Sequence, residues 1–273
     1  MTTSPTNEQA FEALIEKALV GNSHEERTAN GQTDVDAQSP SAQQYYWGMP
    51  KDMDKNLAID LRRLWNFLKS TQQNVLDEYK GKDLKSELPK RIAKEVETFG
   101  IIKVLREGVD VDNIHVSLFY PKPSAADSVA SKKKYAQNQF SITRQQTFSV
   151  QNPGLEIDLV LFVNGLPLFT FELKNPWTHQ TAKYDGQKQY KSLERNPKET
   201  LLNFGRCLAH FTMDKDEIYF TTRLSLDKTH FMPFNQGLPN GQGAGNPVNG
   251  MGVTRLPICG NRSFERIRWL TSS

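Results

Sequence analysis

The sequence predicts an α/β (α+β) fold in which a mixed central sheet is flanked by helices and carries an added helical subdomain. Two observations support this prediction. Apolar residues recur at helical spacing near the N-terminus and again between residues 55 and 99, whereas the pattern between residues 113 and 174 alternates as in strands. A chain of 273 residues can bury a substantial core as one large domain or two small ones.

Three helices are predicted in the first hundred residues. The first covers about residues 6 to 20, because Thr6-Asn7-Glu8-Gln9 has capping-box form and precedes apolar residues at helical spacing. The second covers about residues 55 to 80, and the third runs from Leu84 to Phe99. These last two are expected to form the helical subdomain, an insertion over about residues 45 to 110. The polar stretch from Gly21 to Gln44 is predicted to be a mobile loop.

The remaining elements are mostly strands. The alternation and its breaks predict a strand over residues 113–120, a polar loop over 124–138 and a strand over 140–150. A hairpin follows over 156–174, then a polar helix over about 178–193 and a helix from about 198. A strand near 217–222 and a Gly/Asn/Pro-rich loop over 224–252 complete the order. The catalytic core is thereby predicted over residues 5–20 plus 111–223.

Composition excludes several classes of protein. No run of about 18 apolar residues is present, and the N-terminus lacks a basic and then apolar leader, so no membrane association and a cytoplasmic location are expected. Cys207 and Cys259 cannot form a disulfide framework and have no zinc-like spacing. The net charge of +3 permits contact with nucleic acid without arguing for it.

The hairpin contains the most informative residues. Asp158 lies in its first strand, and Glu172 and Lys174 lie in its second, all among apolar neighbours. Carboxylates and a lysine cost free energy in such a strand unless they are paired, protonated or bound to a cation, so a functional site is the natural explanation. Glu172 and Lys174 are expected on one face of their strand because side chains alternate.

The position of Asp158 relative to Glu172 depends on the turn. A two-residue Asn164-Gly165 turn in a regular hairpin would place Asp158 on the opposite face, whereas a three-residue or bulged loop with Gly165 left-handed would place both carboxylates on one face. In the three-residue register Asp158 lies opposite Thr170 and diagonal to Glu172. The sequence therefore predicts an odd-numbered or bulged loop if the site exists.

Two carboxylates placed together repel each other unless a divalent cation lies between them. Hard oxygen ligands favour Mg²⁺ or Mn²⁺, and such a metal beside a lysine suits the hydrolysis of a phosphodiester. A rival interpretation is an ion pair on a half-exposed sheet face, worth about 0–1 kcal/mol. The Glu-x-Lys pattern is weak by itself, because Glu78-Tyr79-Lys80 is a second instance.

The hairpin and several flanking segments resemble a known family. The hairpin is similar to the N-terminal nuclease domain of the R (restriction, motor-bearing) subunit of type I restriction-modification enzymes. That domain belongs to the PD-(D/E)xK superfamily, so the resemblance implies a restriction-endonuclease-like core. The resemblance covers about residues 5 to 250. The further segments that carry it are Asn7 to Glu12, Thr143-Arg144-Gln145, Gln189-Tyr190, Arg206 to Phe211 and Phe231 to Asn235.

The resemblance implies roles for particular residues. Asp158 and Glu172 would bind the metal together with the Leu173 backbone carbonyl, and Lys174 would be the catalytic lysine. A helical glutamate often completes such sites; Glu8 is the first choice, and Glu12 and Glu95 are rivals.

The remaining candidate residues are weaker expectations. Some relatives carry Gln-x-x-x-Tyr in the helix after the lysine strand. Gln180 and Tyr184 match it literally, whereas Gln189 and Tyr190 lie better against the family's pattern, and both assignments stay open. Arg144 is a candidate for contact with phosphate or for simple exposure to solvent.

The implied partners are double-stranded DNA and the methylation and specificity subunits of a restriction-modification complex. The printed chain has no Gly-x-x-x-x-Gly-Lys-Ser/Thr phosphate loop, so ATP would serve only a motor domain that this sequence lacks. Residues Val253 to Ser273 depart from the family's pattern, which suggests a truncated frame or an excised fragment. The alternatives are a catalytically silent remnant that docks on DNA or partner subunits, and a purely structural module.

Overall fold

A seven-stranded mixed sheet forms the centre of the protein in a computed structural model that describes residues 8–32, 45–124, 128–175 and 180–234. Expectations for residues outside these ranges, including Thr6, Asn7, Asn235, Cys259 and the 253–273 tail, lie outside the described residues. The strands are β1 Tyr46–Trp47, β2 Met53–Asp54, β3 Ile59–Asp60, β4 Val109–Val111, β5 Ile114–Val116, β6 Phe140–Thr147, β7 Glu156–Val163, β8 Leu166–Leu173, β9 Ala209–Met213, β10 Ile218–Thr221 and β11 Met232–Pro233.

The main sheet has the strand order β1-β6-β7-β8-β9-β10-β11. The β6–β7–β8 strands form an antiparallel meander, whereas β1 pairs with β6 and β9 pairs with β8 in parallel. The strands β7 and β8 are therefore covered by neighbours on both edges, which explains why their sequences are almost continuously apolar. This mixed sheet with flanking helices confirms the predicted α+β fold class.

Seven α-helices flank the sheet within the described ranges. They are α1 Glu8–Val20, α2 His24–Ala29, α3 Leu61–Asp77, α4 Leu84–Phe99, α5 Ile101–Glu107, α6 Val129–Ala136 and α7 Gln187–Lys191. The predicted first helix is confirmed from Glu8 onwards, and the predicted Leu84 to Phe99 helix has the observed bounds.

The helix α1 packs on one face of the sheet through its apolar stripe. Ile15 and Leu19 are each 2% exposed and pack in one cluster with Leu159 and Leu161 of β7 and Phe171 of β8. This packing follows from the helical spacing of the apolar residues and aims the first turn of α1 towards the β7–β8 strands.

The helices α3, α4 and α5 form a second apolar cluster with the small β4–β5 hairpin. Leu64, Leu88 and Val116 are fully buried in this cluster, which also takes in Leu166 from the start of β8. The backbone of Gly165 lies so close to α3 that an added Cβ would meet the Asp60 carbonyl oxygen at 2.3 Å. The helical part is thus packed on the turn of the β7–β8 hairpin.

Several predicted elements differ from the observed ones. The polar stretch after residue 20 contains α2, whose capping box joins Ser23 and Glu26, and the predicted 124–138 loop contains α6. The predicted 178–193 helix is a π-helical turn, Ala182–Gly186, followed by α7. The helix predicted from about residue 198 is only a 3-10 turn, Thr200–Leu202, because the chain then enters β9.

The predicted strand over residues 113–120 is also corrected. It is only three residues long, Ile114–Val116, and pairs with β4 in a separate two-stranded sheet. Leu118 continues into the helical cluster without joining a ladder. The alternation of apolar and polar residues in this segment reflects burial against helices, not pairing in the main sheet.

The hairpin turn combines the two alternatives that the sequence left open. Asn164 and Gly165 form a two-residue turn with φ of 51° and 83°, and Val163 pairs with Leu166, so the three-residue loop is wrong. The ladder then shifts between Leu161 and Phe162, because Leu168 is an extra residue in β8. This β-bulge supplies the odd residue that the site requires, within the strand and not within the turn.

Candidate catalytic site

The bulge brings Asp158 and Glu172 onto one face of the hairpin. Beyond the bulge Leu159 pairs with Phe171, and continuing this register places Asp158 directly opposite Glu172. The predicted diagonal arrangement, with Asp158 opposite Thr170, is therefore replaced by a closer one, since Thr170 pairs with Val160.

Asp158 is held by the backbone of the neighbouring strand. Its Oδ2 accepts a hydrogen bond of 2.6 Å from the Leu173 N–H. Burial raises the pKa of Asp158 above its ordinary value, and the Leu173 N–H and the Lys174 charge oppose that rise. One oxygen of this carboxylate is thus committed to the protein.

Glu172 is fully buried and ion-paired with Arg195. Its Oε1 accepts a 2.6 Å hydrogen bond from the Arg195 Nε–H, and its Oε2 has no hydrogen-bond partner among the described residues. Burial, followed by the negative charge of Asp158, raises the pKa of Glu172 to about 8 despite the guanidinium. Without a further cation, the buried site therefore disfavours negative charges on Asp158 and Glu172 together.

Lys174 is directed towards the first helix. Its Nζ donates to Glu8 Oε1 at 2.9 Å and to the Leu173 carbonyl oxygen at 3.0 Å. Lys174 is 6% exposed, which excludes the interpretation as an ion pair on a half-exposed sheet face, since Glu172 beside it is fully buried as well. Of the three predicted helical glutamates, Glu8 is the one that contacts a predicted catalytic residue.

Glu12 lies one helical turn further along α1 and contacts a different set of groups. It accepts hydrogen bonds from Arg144 Nε at 3.1 Å and from the Gln145 amide. Burial and then the charge of Asp158 raise the pKa of Glu12 to about 7. Gln145 has a left-handed backbone, with φ of 49°, at the position opposite Asp158, which is strained for a residue with a side chain.

The other predicted site residues are more dispersed. Arg144 also binds Glu16 and Glu25 and is largely covered, so it does not present a free guanidinium for phosphate. Glu95 lies on α4 and pairs with Arg91 in the helical part.

The two tyrosines proposed for the Gln/Tyr motif lie in opposite environments. Tyr184 is 69% exposed, whereas Tyr190 is fully buried beside the Glu172 strand and its hydroxyl is 2.6 Å from Thr170 Oγ1. Gln189 is half-buried on α7 and Gln180 is exposed, and neither is among the hydrogen-bond partners of Asp158, Glu172 and Lys174 described above. The geometry therefore favours the segment that contains Tyr190.

A comparison with models of protein families gives a match over most of the chain. Residues 51–229 match the family described as the type I restriction enzyme R protein N terminus (HSDR_N). This chain belongs to that family. No curated protein matches the chain. Within the part of this R-protein domain that the structure describes, no helix is both long and apolar enough to cross a membrane.

The donor set of this R-protein domain fits a hard divalent cation. Asp158 and Glu172 supply carboxylate oxygens on one face, and the Glu172 Oε2 is buried without a hydrogen-bond partner among the described residues. The two carboxylates repel each other, and a bound cation would reduce that repulsion. The described residues contain no group of three or more His, Cys, Asp or Glu side chains placed to hold a metal. The fit therefore depends on two carboxylates and the Leu173 carbonyl.

The sequence alone did not reveal Arg195 or Gln145 as parts of this site. Arg195 follows α7 and is 23 residues from its partner Glu172, so no local spacing connects them. Gln145 belongs to the family-like Thr143-Arg144-Gln145 segment, but its left-handed backbone has no signature in a strand of ordinary residues.

Proposed function

We propose that this chain is the nuclease part of a type I restriction enzyme R subunit, and that it hydrolyses phosphodiester bonds of double-stranded DNA with Mg²⁺ or Mn²⁺. The observation that carries the proposal is the common face of Asp158 and Glu172, created by the Leu168 bulge, with Lys174 adjacent to it. Membership in the R-protein family supports it.

Each residue has a separate role in the proposed reaction. Asp158 and Glu172 would hold the cation through the oxygens that the protein leaves free, together with the Leu173 carbonyl. A bound Mg²⁺ or Mn²⁺ would polarise a phosphoryl oxygen and acidify a water molecule. Lys174 orients the attacking water or stabilises the charge that develops on the phosphate, and Glu8 holds the ammonium in place.

The proposed partners follow from the family. DNA is the substrate, and the methylation and specificity subunits choose where it is cut. ATP is proposed to serve only the motor part of a restriction enzyme, and residues 1–250 are proposed to form the single nuclease domain.

Plasmid cleavage by the assembled complex tests the proposal. Lys174→Ala and Asp158→Ala are each expected to reduce cleavage at least a hundredfold, because the first removes the ammonium and the second removes a metal ligand. Lys80→Ala is the matched control, since Lys80 is exposed and ends the second Glu-x-Lys sequence, Glu78-Tyr79-Lys80, and this variant should cut normally. Normal cutting by the Lys174 and Asp158 variants would refute the site.

A second candidate is a silent module that docks on DNA or partner subunits. The observation that favours it is the Arg195–Glu172 ion pair, which already gives Glu172 a cation without any metal. Calorimetry with Mn²⁺ in the presence of DNA separates the two candidates. A chain that takes up no metal at millimolar concentration would be the docking module.

A further inference from the structure

Arg195 is the buried cation that contacts Glu172. It lies in the 3-10 turn Leu193–Arg195 and is 3% exposed. Its Nε–H donates to Glu172 Oε1 and its Nη2–H donates to the Glu156 backbone carbonyl, both at 2.6 Å. The same guanidinium therefore holds the side chain of Glu172 and the first residue of β7, the strand that carries Asp158.

No neighbouring group substitutes for Arg195 in these contacts. Lys174 donates to Glu8 and to its own strand instead of to Glu172. On the same side of the sheet, Tyr190 and His210 are bonded to Thr170, and burial lowers the pKa of His210 to about 3, so its ring is neutral. Among the described residues, the orientation of the Glu172 carboxylate depends on Arg195.

In each of the two carboxylates, one oxygen accepts a hydrogen bond from the protein and the other is left for a cation. Glu172 has Oε1 bound to Arg195 and Oε2 buried without a partner. Asp158 has Oδ2 bound to the Leu173 N–H, which leaves Oδ1. Each carboxylate can thus offer one oxygen to a cation, whereas a pair of ions would need further bridging oxygens.

We infer that Arg195 is a positioning residue that makes Glu172 a one-oxygen ligand and restricts this site to a single divalent ion. The inference rests on the proposed function, because it requires a metal between Asp158 and Glu172. It adds the number of ions and a residue that acts through Glu172. Groups that orient a metal ligand typically change metal affinity by about 10–100-fold when they are removed.

Calorimetric titration of the full chain with Mn²⁺ tests the inference. The wild-type chain should bind one ion. Arg195→Gln should bind it about 10–100-fold more weakly, and Arg195→Lys, which keeps the charge but cannot make both hydrogen bonds, should show an intermediate loss. Unchanged affinity in Arg195→Gln, or two ions of similar affinity in the wild type, would overturn it.

A matched control separates positioning from general stabilisation. Arg206 is also a buried arginine, but it donates to the backbone carbonyls of Leu57 and Ala93 in the helical part, so Arg206→Gln should lower thermal stability and leave Mn²⁺ affinity unchanged. An equal loss of affinity in Arg206→Gln would mean that the effect is general destabilisation. If Arg195→Gln does not fold, Arg195→Lys decides, and wild-type affinity in that variant refutes the inference.

Failure of the inference differs from failure of the proposed function. A wild-type chain that binds Mn²⁺ and cuts plasmid in the complex, with an Arg195→Gln variant of unchanged affinity, refutes only the role of Arg195. A wild-type chain that binds no Mn²⁺ and supports no cutting refutes the nuclease proposal and the inference with it.

Discussion

Glu172 and Lys174 are two residues apart in one strand but have different ionic partners. Glu172 is bound by Arg195 from the segment after α7, and Lys174 is bound by Glu8 from the N-terminal helix. Removing one member of the buried Glu172–Arg195 pair should cost about 3–5 kcal/mol, because the other charge is left without compensation. Variants at these residues therefore need a stability measurement beside every activity measurement.

His210 gives a prediction about acid stability. Burial lowers its pKa to about 3, and its Nδ1 lies 2.8 Å from Thr170 Oγ1. In the unfolded chain the imidazole takes up a proton near pH 6.5, whereas the folded chain does not until about pH 3. This residue therefore makes the free energy of unfolding fall as pH drops from about 6.5 towards 3.

Urea denaturation at several pH values checks this expectation. His210→Gln should lose less stability than the wild type between pH 6.5 and pH 4, because glutamine does not titrate. The absolute stability of the variant is irrelevant to the test, since only the slope with pH is compared. Parallel slopes would show that His210 is not the buried neutral group described here.

At the scale of single elements, the β7–β8 turn depends on Gly165. Its φ is 83°, and an added Cβ would meet the Asp60 carbonyl oxygen at 2.3 Å and the Leu64 nitrogen at 2.7 Å. Gly165→Ala should therefore reduce the free energy of unfolding by roughly 2–4 kcal/mol, through backbone strain and steric overlap together.

Gly31 supplies the matched control for this prediction. Its φ is also positive, 67°, but nothing lies within 4 Å of an added Cβ. Gly31→Ala should cost only the strain, on the order of 1 kcal/mol. Chemical denaturation of both variants measures the difference, and equal losses would mean that contact with α3 does not constrain the turn.

Elements with a strong local signal could be predicted from the sequence. The helices α1 and α4 and the strands β6, β7 and β8 have clear apolar periodicity, and their predicted positions agree with the structure. The helix α2 was missed because His24–Ala29 is almost wholly polar, although its Ser23 and Glu26 capping box is the type of signal that was used for α1.

Elements defined by long-range pairing could not be predicted in this way. The strand β9 is a central strand because it pairs in parallel with β8, a partner distant in the chain. The Leu168 bulge cannot be recognised in the sequence, because the residues on both sides of it are apolar and the pattern of apolar and polar residues does not change there. At the site, local spacing identified Asp158, Glu172 and Lys174, whereas the contact between Arg195 and Glu172 needed the tertiary structure.

At the scale of the whole molecule, the helical part and the sheet share residues. Leu166 is the first residue of β8, yet it is fully buried in the cluster formed by α3, α4 and α5. Arg206 adds hydrogen bonds from the segment before β9 to Leu57 and Ala93. We expect the helical part and the sheet to unfold together, since each completes the apolar core of the other.

Leu166→Ala tests this coupling. The substitution should cost about 2–5 kcal/mol, as for other fully buried leucines, and should keep a single unfolding transition with coincident helix and aromatic signals. Leu14→Ala is the control, because Leu14 is 55% exposed, and it should change stability by less than about 0.5 kcal/mol. Two separate transitions in the wild type would show that the parts are independent.

The bulge at Leu168 is one unpaired residue between two stretches of the β7–β8 ladder that are each in register. Leu168 has no partner in β7, so deleting it would leave the other pairs in register and keep Asp158 opposite Glu172. One residue inserted between Phe171 and Glu172 would instead move Glu172 one position along β8 and turn it to the opposite face from Asp158. The Leu168 deletion should therefore keep the common face of the two carboxylates, whereas the insertion before Glu172 should lose that face and plasmid cleavage with it.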